Sequence, residues 1–155
     1  MSDEGYFYAK IYSYEREIEE CNAQIRKINQ QINELTRLKE KIFNYSQMFD
    51  EVQIKCRSVF SFAVEELFSR KRYSQKIVKS YEQGMGELLL GSECQKVADE
   101  GVEAEESVKQ KLRSMEEQRE DLCWQIANYK SGMSECRAEL RKIEEREREY
   151  GRYNY

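Results

Sequence analysis

Residues 108–150 read VKQKLRSMEEQREDLCWQIANYKSGMSECRAELRKIEEREREY. Val108, Leu112, Met115, Arg119, Leu122, Ile126, Tyr129, Met133, Cys136, Leu140, Ile143, Glu147 and Tyr150 recur at alternating steps of four and three. Only Arg119 and Glu147 break the apolar rule. A period of 3.5 draws a narrow seam along a helix, suited to one partner helix rather than to a broad globular core.

The N-terminal third carries a matching seam: Phe7, Ile11, Tyr14, Ile18, Cys21, Ile25, Ile28, Ile32 and Leu35. It continues through Leu38, Ile42, Tyr45 and Phe49, with a second consecutive step of three at Leu38 that predicts local overwinding. Laid antiparallel, the two seams match in one register. Phe7 then faces Tyr150, Cys21 faces Cys136 and Ile28 faces Tyr129, residue numbers summing to 157 or 158, with the fold-back near Val78. A shift of one heptad is the competing register. The tethered arm wins over a second molecule by effective concentration. Each apolar layer contributes roughly 1.5–3 kcal/mol per large side chain buried. The facing thiols of Cys21 and Cys136 are expected to fill a tight layer rather than to form a disulfide. Arg119 and Glu147 are expected to run their stems past Leu38 and Ile11.

The expected fold is therefore all-α, an elongated antiparallel helical hairpin or coiled coil with a central helix-turn-helix tip. Residues 1–155 form a single elongated domain in this reading. Its parts are an arm over 5–49, a central apolar hairpin over 50–91, a return arm over 92–150 and a frayed tail over 151–155. In the centre, Val52, Cys56, Val59, Phe60, Ala63 and Leu67 continue the helical spacing, and the turn falls near 69–76, around the basic cluster Arg70-Lys71-Arg72-Tyr73. Gly91 can end one helix, and Ser92 with Gln95 forms a capping-box pattern at the start of the next.

Composition narrows the function. With 36% charged residues, a mean hydropathy of −0.92 and no proline, long solvated helices are the natural product. The chain has no histidine, which removes the commonest general base and metal ligand. The five cysteines, Cys21, Cys56, Cys94, Cys123 and Cys136, are scattered without a CxxC, so neither a zinc site nor a disulfide framework is expected. No catalytic constellation is assembled, so no enzyme, cofactor or metal is expected. No apolar run is long enough to span a membrane. The opening MSDEGYFYAK has no cleavable secretory pattern, so a cytoplasmic protein is expected. Residues 55–80 are basic, but the whole chain carries −4, a weak footprint for nucleic acid, so none is expected.

What remains is apolar surplus. Val59, Phe60, Phe62, Ala63 and Phe68 on one side of the turn, and Leu88, Leu89 and Leu90 on the other, exceed what a two-helix seam covers. Such patches mark protein interfaces. Trp124, the lone tryptophan, lies off the seam and is a candidate anchor. These nine residues are the expected partner-binding set.

The layout of heptad arm, apolar central hairpin and second heptad arm resembles the small helical partner proteins of LXG-type toxins in bacterial type VII secretion, the YwqH-like group, related to WXG-type hairpins. Phe68-Ser69-Arg70 stands where that family carries a Trp-x-Gly turn, and Met85 stands where an export signal would place an acid four residues after Tyr81. The resemblance implies a targeting factor that binds the helical N-terminal domain of a secreted toxin, in company with a second small helical protein, and that can be co-exported without a cleaved signal peptide. A coiled-coil scaffold that homo-oligomerises is the alternative. So is a prefoldin-like chaperone subunit, which would carry β-hairpins between its arms.

Overall fold

The computed structural model describes residues 2–69 and 74–153. The fold is all-α, a helical hairpin with no strand among the described residues. The β-hairpins of a prefoldin-like subunit are therefore not found there. Helix α1 spans Asp3–Ser69, α2 spans Gln75–Leu90 and α3 spans Ser92–Tyr153. Asp3 and Glu4 sit in the first turn of α1, where acidic charge is favourable. Ser74 caps α2 by accepting a hydrogen bond from the Ile77 amide. The expected basic cluster Arg70–Tyr73 lies outside the described residues.

The junction between α2 and α3 differs from the capping box expected at Ser92 and Gln95. The Gly91 amide donates to the Glu87 carbonyl, closing α2, while the Gly91 carbonyl accepts from the Gln95 amide, opening α3. Ser92 is already inside α3 and needs a cap rather than giving one. The Glu87 carboxylate supplies it, accepting from both the Ser92 amide and its hydroxyl at 3.4 Å. Gln95 turns instead to Asp99, to which its amide donates at 3.0 Å.

The chain divides into two compact units: residues 1–33 with 113–155, and residues 34–112. In the first unit, α1 and α3 run antiparallel. The core is Cys21 and Ile28 from α1 with Met115, Leu122, Met133, Cys136 and Leu140 from α3. Their spacing is the heptad seam of both sequences. In heptad letters, after Glu4 in the first turn, Ile11, Ile18, Ile25 and Ile32 hold the a positions of α1 in this unit, half-buried, with d positions between them. β-branched side chains at a and a continuous d row make a well-filled seam.

The register is not the one expected. The Tyr14 ring lies against Gly132 and 6.0 Å from the ring of Tyr129. The Cys21 thiol points to the Gln125 side chain at 3.8 Å. Arg119 donates to the Asn29 side chain at 2.9 Å. Tyr14 with Gly132, Cys21 with Gln125 and Asn29 with Arg119 give residue numbers summing to 146–148, not 157 or 158. The true register is thus displaced by ten or eleven residues, neither the expected register nor its heptad neighbour. A heptad seam matches itself at many offsets, and the position of the chain reversal chooses among them. The expected fold-back at Val78 is excluded because Val78 is buried inside α2.

Three further expectations change with the register. Cys136 does not face Cys21: it lies ten or eleven residues from the point on α3 opposite Cys21, roughly 16 Å along the axis at 1.5 Å per residue. Arg119 does not run past Leu38; its guanidinium reaches Asn29, beside the buried Ile28. Glu147 and Tyr150 are not seam residues. In this register α1 begins opposite residue 144, so both are exposed with no α1 residue facing them. The tail, expected to fray after 150, stays helical through Tyr153.

Candidate functional site

The second unit pairs residues 34–69 of α1 with α2 and the start of α3. Its heptad frame runs on from Leu35 without a break: Lys39, Ile42, Ser46, Phe49, Gln53, Cys56, Phe60, Ala63 and Leu67 are half-buried, joined near the end of α1 by Val64 and Glu66. The overwound step expected at Leu38 is absent. Leu38 and Tyr45, expected on the seam, are exposed at 46% and 70%, as are Val52 at 56% and Val59, expected as partner-binding surface, at 69%. Lys39, Ser46 and Gln53 take the a layers in their place. The contacts fit this: Ser46 lies 3.4 Å from the Cβ position of Gly101, Gln53 donates to the Leu89 carbonyl, and Phe60 packs over Gly86 and stacks on Tyr81.

The chain thus places its apolar side chains one residue ahead of its buried ones. In heptad letters the exposed apolar residues between Leu38 and Phe62 are g (Leu38, Tyr45, Val52, Val59) and c (Met48, Phe62), with Phe43 at e and Ile54 at b on the other flank. The g row of α1 in the first unit is Lys10, Glu17, Gln24 and Gln31, wholly polar. The return side repeats the pattern: Ile77, Tyr81 and Leu88 on α2, and Val97 on α3, are exposed. The g rows of antiparallel helices flank the same side of their seam. Accordingly Phe62, Glu66, Ile77 and Tyr81 line one groove of about 490 Å³, floored by Ala63, Leu67 and Val78. A second groove of about 480 Å³ gathers Tyr45 and Met48's neighbour Phe49 with Val97, Ala98 and Gly101.

Among the described residues, fifteen of the twenty-one exposed large hydrophobic residues belong to this unit, and the six of the first unit are all tyrosine or tryptophan. The surplus of aliphatic and phenylalanine surface is therefore local, and Leu38, Tyr45, Met48, Val52, Val59 and Phe62 form a row within it, with Phe43 and Ile54 on the other flank of α1. A monomer that leaves such a row in water leaves unused burial energy of about 25 cal/mol per Å².

The expected partner-binding residues fall into three groups. Val59, Phe62 and Leu88 lie on the apolar row, with Ala63 in the floor of its groove. Phe60 and Leu89 are half-buried within the unit: Phe60 packs on Gly86, and the Leu89 carbonyl accepts from Gln53 and Cys94. Phe68 and Leu90 are exposed at 50% and 36% but off the row, and Trp124, exposed at 69%, belongs to the other unit. Sequence reading missed Leu38, Tyr45, Met48, Val52, Ile77, Tyr81 and Val97 as surface. Leu38 and Tyr45 are expected inside the seam because the line of hydrophobicity runs through them, whereas the structure keeps the heptad phase of Leu35.

Among the described residues no group of three or more His, Cys, Asp or Glu is gathered as a metal site would need. No helix there is long and apolar enough to cross a membrane. No known protein family, curated protein or solved structure matches the chain.

Proposed function

We propose that this chain is a non-enzymatic interaction protein that recognises a helix of another protein along the apolar row of its second unit. The observation that carries the reading is the displacement of the row from the buried seam. Leu38, Tyr45, Met48, Val52, Val59 and Phe62 repeat at helical spacing over the length of several turns, yet none of the described residues covers them. A helix laid in the groove beside them would bury their faces against its own a/d positions, the usual mode of helix-in-groove recognition. The polar a layers Lys39, Ser46 and Gln53 are consistent with a helix that divides its loyalty between an inner and an outer neighbour.

The resemblance to partners of LXG-type toxins names the occupant: the helical N-terminal domain of a secreted toxin, held in the cytoplasm and presented for export. Co-expression with the product of an adjacent gene carrying such a domain tests it. The expected result is a complex that co-purifies with the native protein and is lost with Val59→Glu and Phe62→Glu. Separate migration of the two native proteins would sink the reading.

A further inference from the structure

We infer that the same apolar row also pairs two copies of this chain, α1 against α1, in an antiparallel isologous dimer. This goes beyond partner docking and stands or falls separately from it.

The row is self-complementary. Read forward it steps Leu38, Lys41, Tyr45, Met48, Val52, Lys55, Val59, Phe62, alternating three and four. Read backward it has the same steps. A two-fold axis near residue 50 therefore sets Leu38 against Phe62, Tyr45 against Lys55 and Met48 against Val52, each contact occurring twice. Every large apolar residue of the row meets a long or bulky side chain. The two lysines that interrupt the row fall on residues able to take their stems: Lys55 over the Tyr45 ring, where its ammonium gains a cation–π contact, and Lys41 along Val59. No like charges meet face to face.

The area is sufficient. Six side chains exposed at 46–70% present on the order of 700 Å² on each copy, against about 800 Å² per partner in a standard interface. Ile77, Leu88 and Val97, on the return helices beside the same grooves, supply the remainder. The pairing also accounts for why the row is confined to residues 38–62 and why the same heptad positions are polar in the first unit: only a bounded, centred row closes at two copies. Because dimer and partner share one face, a partner helix must displace the second copy.

Sedimentation equilibrium of the full chain over the micromolar range tests this. The expected result is a monomer–dimer equilibrium whose dissociation constant rises by roughly 100-fold or more with Val52→Glu or Val59→Glu. Both side chains are more than half exposed, so the substitutions leave the fold intact, as far-UV circular dichroism will register. Ile54→Glu, at a 65% exposed site on the other flank of α1 from the row, is expected to leave the constant unchanged. A strictly monomeric native chain overturns the pairing, including one that still binds a toxin domain. So does a dimer indifferent to Val59→Glu, a dimer weakened equally by Ile54→Glu, or an open-ended series of larger assemblies.

Discussion

Replacing Ile28 and Tyr45 by alanine, one at a time, tests the strict heptad phase of α1. Both residues lie on the apolar line of the sequence, but the structure buries only one. Ile28 is 8% exposed. Ile28→Ala removes about three methylene equivalents at ~0.8 kcal/mol each, some 2.4 kcal/mol, plus a cavity contribution. A two-helix seam closes or hydrates a gap easily, so the total should fall near the low end of the usual range, about 2.5–3 kcal/mol. Tyr45 is 70% exposed. Tyr45→Ala surrenders little packing and gains a few tenths of a kcal/mol of helix propensity, leaving roughly zero within ~0.5 kcal/mol. Urea denaturation followed by far-UV circular dichroism, in protein dilute enough to be monomeric, measures both. A loss above ~1.5 kcal/mol for Tyr45→Ala would show that α1 turns at Leu38 as its hydrophobicity suggests. A loss below ~1 kcal/mol for Ile28→Ala would mean that the first unit is not held by this seam.

The remaining predictions concern the junction, the thiols and the half-buried polar contact. Gly91→Ala sets a Cβ against the Glu87 carbonyl, to which the Gly91 amide is bonded, so the α2–α3 junction must open; a drop in stability of about 1–3 kcal/mol is expected, seen as a lower urea midpoint. Timed maleimide labelling with peptide mapping should modify exposed Cys123 first and buried Cys21 and Cys136 last; burial, with Glu17 and Glu20 nearby, pushes the Cys21 thiol above its ordinary value and leaves less thiolate. Because the raised value belongs to the folded state, this thiol's contribution is intact below the ordinary thiol pKa of 9.0 and is lost as pH rises through the folded value, so stability should decline above about pH 9 in urea titrations. Mild oxidation should yield no Cys21–Cys136 disulfide on a non-reducing gel, whereas the register that sets them face to face would give one. Arg119→Ala strips a charged hydrogen bond from Asn29 and should cost about 1–2 kcal/mol, with Asn29→Ala adding little more in the double variant.

The amino-acid sequence by itself determined the helices and the phase of α3. Absence of proline, heptad spacing from Val108 to Ile143, and glycine at position 91 are local properties, and local propensities and periodicities act the same way whatever the helix meets. It also located the apolar surplus on either side of the reversal. Only tertiary structure decided the register and the sidedness. A repeat of seven fits its partner at every seventh offset and at intermediate offsets that exchange a for d, so energy per layer cannot distinguish them. Where α1 ends, at Ser69, and α2 begins, at Gln75, goes with the one that closes. Sidedness failed for a related reason: from residue 38 onward the most hydrophobic line and the buried line lie 100° apart on α1. A single sequence records that both lines exist, but which one the chain itself covers depends on where α2 and α3 arrive. Leu38, Tyr45, Val52 and Val59 were legible as apolar; that they look outward, with Lys39, Ser46 and Gln53 turned inward, is a consequence of that arrival.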